Sequence, residues 1–307
     1  MKGLNAGDLM LVTVAAVWGG SYVAVKQLSQ DGAWTSILSL RFLIAAALIA
    51  LYRLTARNRI TKKELWMGVV FGLSQLLVMT FETAGTSITS STNAGLIISV
   101  SIILTPILES AWKRNWLPGR FFLATLLVVV GMALLVTGNG FVRPNIGDLL
   151  MVFAAIFRTF HIVAVGRLSD VTSTKQEPVS PVNLTMLQLL TSGLIMFLYN
   201  PAQTVSTALG YNSVDWFWMA FLAVLCTAFG FIGLNWGIGH TSASRTSLLL
   251  GTEPVWATVF AVIIGGEAMG PLGALGAALI VAATYWGQTI ESRHRLVGSA
   301  TAAQQLP

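Results

Sequence analysis

Cysteine, charge and enzyme motifs are all scarce in this chain. Cys226 is the only cysteine, so neither a disulfide framework nor a cysteine metal site can form within the chain. Charged residues make up only 10% of the sequence, whereas a typical soluble domain has about 25%. HExxH, GxSxG and phosphate-loop motifs are absent, and there are three histidines. These absences argue against an enzyme and against direct ATP drive, and we expect neither a catalytic residue, a cofactor nor a metal.

Apolar residues are abundant instead. They form 55% of the chain, and the mean hydropathy is +0.74. A membrane-spanning helix needs about 20 predominantly apolar residues. Ten runs meet this requirement: 7–27, 33–54, 65–86, 91–112, 119–138, 147–168, 181–199, 216–239, 245–265 and 270–289. The sequence therefore predicts an all-α integral membrane protein with ten transmembrane helices joined by short loops.

The basic residues indicate how these helices are oriented. With the N-terminus in the cytoplasm, most of the 18 Lys and Arg residues lie on the cytoplasmic side, as the positive-inside rule requires. Only Lys26 and Arg143 fall outside, while Arg41 and Arg158 lie within spans. Ten spans then place both termini in the cytoplasm. The pI near 9.8 does not indicate nucleic-acid binding, because the basic residues are spread over several loops and not gathered on one face.

An internal repeat divides the chain into two halves. GDLMLVTVAAVWGGSYVAVK (7–26) and GDLLMVFAAIFRTFHIVAVGR (147–167) share Gly-Asp-Leu and Val-Ala-Val at an offset of 140 positions. Further matches follow in the same order, including the shared proline of TPILESAW (105–112) and EPVWATVF (253–260). Because each half holds five spans, the second half enters the membrane from the opposite side. Such inverted repeats are typical of alternating-access transporters.

This organisation predicts three segments. Residues 1–140 form the first five-span repeat and residues 141–290 form the second, inverted one. Residues 291–307 are short and polar, and we expect them to be a disordered cytoplasmic tail.

Three stretches resemble a known family. They are VWGGSYVAVK (17–26), RFLIAAAL (41–48) and TSASRTSLLLGTEPVWATVFAVIIGGE (241–267). In these the chain is similar to the EamA-type transporters of the drug/metabolite transporter superfamily. The resemblance covers nearly the whole chain. It implies a carrier that exports amino acids, related metabolites or drugs across the plasma (inner) membrane of a bacterium, without naming the substrate.

Two ionisable residues stand near the middle of the span 147–168. Arg158 and His161 are one helical turn apart and share a face, and the first repeat has Trp18 and Ser21 at these positions. Charged groups at this depth are costly and usually face a cavity or a partner. An arginine here can grip a substrate carboxylate through two parallel hydrogen bonds. The alternative is an internal ion pair for Arg158 and a hydrogen-bonded core position for His161.

Arg41 and Glu253 are also predicted within spans. We expect Arg41 to be structural, pairing with a carboxylate or with helix carbonyls. Glu253 precedes Pro254, which perturbs its helix. Two roles for Glu253 remain open, as a proton-binding carboxylate or as the counter-ion of Arg41 or Arg158.

Two of the ten tryptophans are predicted at mid-membrane. They are Trp18 and Trp256, and Tyr22 lies one turn beyond Trp18. These rings can stack on an aromatic or alkyl part of the substrate, or they can simply pack against other helices or lipid. An apolar wall at Trp18 opposite a cationic wall at Arg158 suits an amphipathic anion or zwitterion such as an amino acid.

The leading interpretation is a secondary transporter for small molecules, working in the lipid bilayer by alternating access. We expect export of amino acids, including aromatic ones, or of related metabolites. A multidrug or other metabolite carrier of the same fold is the alternative, followed by a non-transporting membrane scaffold or receptor; a passive channel is also compatible with the sequence. Proton coupling, exchange and facilitated diffusion all remain open.

Overall fold

The described part of the protein is helical throughout. The computed structural model describes residues 5–28, 34–56, 59–89, 97–136, 145–168, 179–265 and 270–304, and no strand occurs in these ranges. The helices are α1 (Ala6–Leu28), α2 (Trp34–Ala56), α3 (Lys62–Ile88), α4 (Val100–Lys113), α5 (Gly119–Val136), α6 (Ile146–Leu168), α7 (Pro181–Tyr199), α8 (Pro201–Gly210), α9 (Ser213–His240), α10 (Ala243–Leu250), α11 (Glu253–Gly265) and α12 (Pro271–Gln304).

Five helices are long and apolar enough to cross a membrane. They are Trp34–Leu54, Lys62–Ile88, Ile146–Leu168, Pro181–Tyr199 and Ser213–His240. Two shorter apolar helices, Ala6–Ser21 and Gly119–Leu135, accompany them. Large apolar side chains face outward, and Leu54, Leu198 and Ile263 are each about three-quarters exposed, at 76%, 74% and 74%. A surface this apolar suits lipid and not water. The all-helical class is confirmed, while the count of ten spans stays a prediction.

The predicted span 245–265 is two helices. α10 ends at Leu250, and α11 begins at Glu253 after Gly251 and Thr252. Pro254 therefore occupies the first turn of α11, where a missing backbone N–H costs nothing. The carboxylate of Glu253 sits at a helix N-terminus, which favours negative charge. The corresponding run of the first half, 91–112, contains α4, and its residues 91–96 lie outside the described part.

Two further segments differ from the sequence-based expectation. α8 lies between two predicted spans, where Pro201 starts the helix and the Asn200 side chain accepts a hydrogen bond from the Gln203 backbone N–H at 3.2 Å. α12 continues to Gln304, through most of the tail that the sequence predicts to be disordered. No proline interrupts residues 291–304, so nothing local ends the helix.

Helix pairing follows the same pattern in the two halves. α2 packs on α7, and α5 packs on α12. α3 packs on α6 and α7, just as α9 packs on α1 and α2. α1 packs on α11, just as α6 packs on α4. The counterparts of α1, α2, α3, α4 and α5 are, in order, α6, α7, α9, the pair α10–α11, and α12. When every helix in the contacts above is replaced by its counterpart, the same set of contacts results.

Glycine pairs allow two of these close approaches. Gly68 and Gly72 of α3 lie against α7, where an added Cβ would meet Leu187 and Thr191. Gly233 and Gly237 of α9 lie against α1 in the same way. Small residues four apart let helix backbones approach closely within a membrane. The core between the helices is filled by large buried side chains such as Phe42, Phe71 and Leu184.

Residues 221–229 of α9 are wound as a π-helix. This wider winding redirects backbone carbonyls, and such segments often occur at functional sites. The segment packs against α1 and α2. It therefore lies beside the helices that carry Trp18 and Arg41.

Candidate functional site

A cavity of about 660 Å³ lies between the two halves of the protein. Small-molecule sites typically measure roughly 300–1,000 Å³. The charged or ionisable residues of its lining are Arg41, Glu82, Arg158, His161 and Glu253. The other lining residues that matter below are Trp18, Ser21, Gln75 and Phe231.

The cavity occupies one half of the depth of the helix bundle. Its lining uses the second half of α1, the first half of α2 and the second half of α3. It extends to Ser87, an exposed residue near the end of α3. His161 and Glu253 lie at its other end, in the interior of the bundle. Among the described residues, the cavity therefore reaches the end of the bundle where α3 finishes.

Arg158 and Glu253 form an ion pair at the floor of the cavity. The Arg158 Nη2 to Glu253 Oε2 distance is 3.5 Å, which is long for a charge-assisted hydrogen bond of about 2.8 Å. The Arg158 guanidinium also lies over the Trp18 ring, 5.8 Å from its centroid. Of the two counter-ions proposed for Glu253, Arg41 or Arg158, the structure places Arg158 beside it.

The Trp18 ring is held in place by the π-helical segment of α9. Its indole N–H donates to the Cys226 carbonyl at 2.7 Å, and its ring packs on Phe231 with 5.4 Å between centroids. A Cβ at position 230 would come within 2.5 Å of the indole nitrogen, so the close approach requires Gly230. The altered winding thus offers a carbonyl that Trp18 uses, and one face of the ring is left toward the cavity.

His161 belongs to a buried polar network. Its Nδ1 lies 2.7 Å from Ser74 Oγ, and its Nε2 lies 3.3 Å from Gln188 Nε2. With the Gln188 amide as donor, the ring accepts at Nε2 and carries its proton on Nδ1. Ser74 Oγ then accepts a hydrogen bond from the Nδ1–H and donates its own hydroxyl hydrogen to the Phe71 carbonyl at 3.0 Å. His161 is thus held as a neutral, oriented ring beside the floor of the cavity.

The network continues through side-chain amides, one of which, Gln75, also lines the cavity. Gln188 donates to Gln75, and Asn235 Nδ2 donates to Gln188 Oε1 at 3.0 Å and to Thr185 Oγ1 at 2.9 Å. Gln75, Gln188 and Asn235 are almost fully buried. These three residues were not predicted as site residues. The sequence does contain a signal for them, because polar side chains within apolar helices often mark transport pathways or helix–helix contacts.

Arg41 and Glu82 line the cavity nearer to the end where α3 finishes than Arg158 and Glu253 do. Arg41 is 5% exposed, and its Nε donates to Thr227 Oγ1 at 2.9 Å. No carboxylate of the described residues lies within 4 Å of its guanidinium. The structure shows a hydroxyl partner where the sequence predicts a carboxylate or helix carbonyl. Glu82, which has no role in the sequence-based prediction, lines the cavity beside it.

Of the other two predicted aromatic contacts, one is not in the cavity lining and one is not described. Trp256 is partly buried against the main core cluster and is absent from the lining. The side chain of Tyr22 lies outside the described part of the protein. The structure brings together five of the predicted site residues in the cavity lining: Trp18, Arg158, His161, Glu253 and Arg41.

The opposite end of the bundle is closed by an ion-pair latch of Asp8, Arg245 and Glu291. Arg245 Nε and Nη2 donate to the two Asp8 carboxylate oxygens, both at 2.5 Å. Arg245 Nη1 lies 3.3 Å from Glu291 Oε2. Asp8 is fully buried, and Glu291 is 2% exposed. The latch joins α1, α10 and α12.

Further polar contacts close the same end. Glu109 of α4 accepts from the Ser244 backbone N–H at 2.6 Å, from the Ser244 hydroxyl and from Lys113 Nζ at 2.7 Å. Glu64 of α3 accepts from the Ser180 backbone N–H at 2.9 Å and from Asn183 Nδ2 at 3.0 Å. These bonds tie α4 to α10 and α3 to α7 at the end of the bundle that holds the latch, whereas the cavity extends among the described residues to the other end.

The chain belongs to the EamA-like transporter family, whose model matches it twice, over residues 5–137 and 145–286. The resemblance inferred from the sequence is thereby confirmed. Since this family consists of membrane transporters, the chain is a multi-pass membrane protein of a transporter family.

Two relatives agree with this assignment, and a solved structure shares the fold. An uncharacterized transporter of Archaeoglobus fulgidus is 30% identical over 277 residues, covering 90% of this chain and 83% of its own length. A second uncharacterized transporter of that organism is 23% identical over 285 residues, covering 90% and 96%. A protein crystal structure at 18% identity has a TM-score of 0.74 and matches 94% of this chain and 98% of its own. The last likeness concerns the fold alone.

Proposed function

We propose that this protein is a secondary transporter that works by alternating access and exports amino acids or similar amphipathic zwitterions and anions. Its ten spans form two inverted five-span repeats, residues 1–140 and 141–290. Both termini lie in the cytoplasm, and the membrane is the plasma membrane of a bacterium.

The observation that carries the proposal is the asymmetry of the central cavity. The cavity lies between the halves, reaches the surface at one end and is closed by the ion-pair latch at the other. A channel would need a path through both ends. A carrier needs a central site that is exposed to one side at a time.

The helix pairing supports the inverted repeat. Exchange of the halves leaves the pairing pattern unchanged, as expected for a duplicated five-span unit. The break between α10 and α11 borders the cavity, which is lined by Leu250 and Glu253 on the two sides of the break. The π-helical residues 221–229 of α9 lie behind the lining, where Cys226 and Thr227 hold Trp18 and Arg41. Transporter sites commonly use such interruptions, because irregular backbone is tolerated within the membrane where it borders a cavity.

The positive-inside distribution assigns the two ends. It places Asp8, Arg245 and Glu291 on the cytoplasmic side and Ser87 on the outer side. The state of this structure is therefore outward-open. To expose the cavity to the cytoplasm, the protein must break the ion-pair latch and close the helices around Ser87.

We expect Arg158 to bind the carboxylate of the substrate. A substrate carboxylate that reaches the cavity floor competes with Glu253 for the guanidinium, and the 3.5 Å pair is loose enough to be exchanged. Trp18 offers its ring to the apolar part of the cargo. A Glu253 released in this way can bind a proton, which would couple transport to a pH gradient.

Reconstituted protein tests this function. Proteoliposomes loaded with unlabelled amino acids should take up radiolabelled amino acids by exchange, with saturation, and net flux should be compared with and without a pH gradient. A panel of amino acids, decarboxylated amines and lipophilic cations separates an amino-acid carrier from a multidrug carrier. Flux without saturation would indicate a channel instead.

Arg158 variants sharpen this test. Arg158→Lys keeps the charge but loses the planar fork, so exchange of carboxylate cargo should fall about ten- to hundredfold, as expected for a charge-assisted contact of about 1.5–3 kcal/mol. Arg120→Ala, which removes an exposed arginine outside the cavity, should exchange normally. Normal exchange by well-folded Arg158→Ala would reject the role of Arg158.

A further inference from the structure

We infer that the outer part of the cavity contains a subsite for a zwitterionic headgroup, with Arg41 binding the carboxylate and Glu82 binding the ammonium group. The inference rests on the proposed function and names the headgroup chemistry that the outward-open state accepts. It assigns substrate contact to one residue that the sequence treats as structural and to another that it leaves without a role.

The first support is that the two charges line the same cavity without pairing. No N–O contact within 4 Å joins Arg41 to Glu82 or to any other carboxylate of the described residues. Glu82 is still near enough to interact with Arg41 electrostatically. A gap of this kind accommodates a molecule that carries both charges close together.

The second support is the contrast with other buried charges of the described chain. Arg158 has Glu253, and Arg245 has Asp8 and Glu291. Glu64 and Glu109 each accept several hydrogen bonds. Arg41, by contrast, donates one hydrogen bond, from its Nε to Thr227, and its guanidinium lies 5.7 Å from the Phe42 ring centroid. The described residues supply no partner for the Glu82 carboxylate. Leaving charges in a membrane cavity without partners is costly, and a bound zwitterion would satisfy both.

The third support is the direction of the arginine. Thr227 takes the Arg41 Nε–H, which fixes the plane of the guanidinium but leaves its two terminal nitrogens for another ligand. None of its nitrogens is among the fully enclosed unsatisfied atoms, so the terminal nitrogens border open space. Two parallel N–H donors match a carboxylate.

Depth separates this subsite from the Arg158 floor. Arg41 is seven residues from the start of α2, and Glu82 is six residues from the end of α3, so both lie about 10 Å from the same outer end at about 1.5 Å per residue. Arg158 is near the middle of α6. A zwitterion can therefore occupy the outer subsite without displacing Glu253, and the rings of Trp18 and Phe231 can receive its side chain.

The test compares three probes that differ only in their charges. L-phenylalanine, phenethylamine and 3-phenylpropionate are titrated against the purified full-length protein, with binding measured by calorimetry. Wild type should bind phenylalanine about ten- to hundredfold more tightly than either singly charged probe, as expected when one charge-assisted contact is lost. Arg120→Gln is the matched control and should keep this preference.

Each variant should lose the binding preference that depends on the charge it removes. Arg41→Gln should remove the preference for phenylalanine over phenethylamine, and Glu82→Gln should remove the preference over 3-phenylpropionate. Arg41→Lys retains the charge, so it should bind all three probes more weakly but in the same order of affinity. This variant replaces Arg41→Gln in the test if Arg41→Gln folds poorly. A purely structural residue would weaken all three probes equally, and that result would overturn the inference.

The outcomes also separate the inference from the proposed function. If wild type binds and exchanges amino acids but both charge-removing variants keep the full preference, the subsite is refuted and the transport function stands. If wild type binds all three probes alike, the subsite is again refuted. If wild type neither binds nor exchanges any amino acid, both the subsite and the amino-acid function fail.

Discussion

The start of α1 and the start of α6 are the same local structure in two different settings. Residues 5–9 read NAGDL, and residues 145–149 read NIGDL. In both, the aspartate accepts a hydrogen bond from the asparagine backbone N–H, at 2.9 Å for Asp8 and 2.7 Å for Asp148. The helix starts therefore follow from local sequence alone.

The partners of the two aspartates from elsewhere in the chain differ. Asp8 receives two bonds from Arg245, whereas Asp148 accepts one from Thr89 Oγ1 at 2.6 Å. In the register that aligns Pro106 with Pro254, the counterpart of Arg245 is the apolar Ile97. Among the described contacts, Asp8 thus meets an arginine and Asp148 meets a hydroxyl. We interpret the Asp8–Arg245 ion pair as the contact that keeps the latch end of the cavity closed.

Removing the latch cation should have the largest effect. Arg245→Gln leaves the buried Asp8 and Glu291 carboxylates without their cation, so stability should fall by about 3–5 kcal/mol. Thermal unfolding in detergent measures this loss. The matched control Arg167→Gln removes an exposed arginine whose guanidinium lies 4.9 Å from the Trp112 ring centroid, and it should lose under about 1 kcal/mol.

The same variant should also change which end of the protein is open. Leu11 is fully buried near the latch, against Gly237. In a Cys226→Ser background, the thiol introduced by Leu11→Cys should become reactive toward a maleimide from the cytoplasmic side when Arg245→Gln is added. Unchanged protection of this thiol in a folded protein would show that the latch does not control access.

Equivalent changes at the two aspartates test the comparison directly. Asn retains an acceptor oxygen for the helix start, so Asp8→Asn and Asp148→Asn both keep the cap. Asp8→Asn should cost about 3 kcal/mol because it breaks a buried ion pair. The unfolding free energy of both variants is the measurement, and a loss under about 1 kcal/mol for Asp8→Asn would contradict the role assigned to its ion pair.

The smallest effect is expected at the outer hydroxyl. Thr89→Val removes the donor to Asp148 and should lower stability by about 1 kcal/mol, with Thr89→Ser as the control that keeps the hydroxyl. A loss as large as that of Arg245→Gln would mean that the two ends are held equally strongly.

Fold class and several site residues could be predicted because their signals are local. Apolar run length indicates spanning helices, and the i, i+3 spacing of Arg158 and His161 puts them on one face. Both do line the cavity. Their partners could not be predicted in the same way, since Glu253 is 95 positions from Arg158 and Ser74 is 87 positions from His161.

Arg245 and Glu109 show where local signals misled. Both lie near predicted cytoplasmic helix ends, where charged residues ordinarily reach water. The structure buries both, at 9% and 7% exposed. Helix ends packed against one another exclude water there, and the charges are satisfied by Asp8, Glu291, Ser244 and Lys113 instead.

Local sequence was enough to predict the all-helical class, the duplicated helix starts and the family of this protein, because each depends on composition, spacing or motifs within one stretch of chain. The pairing of the buried charges, by contrast, was decided by the packing of the helices. Asp8 meets Arg245 across 237 positions, while Arg41 and Glu82 line one cavity without touching. Pairing of buried charges depends on distances of a few ångströms between helices, and in a duplicated chain those distances differ at the two ends even where the local sequence is the same.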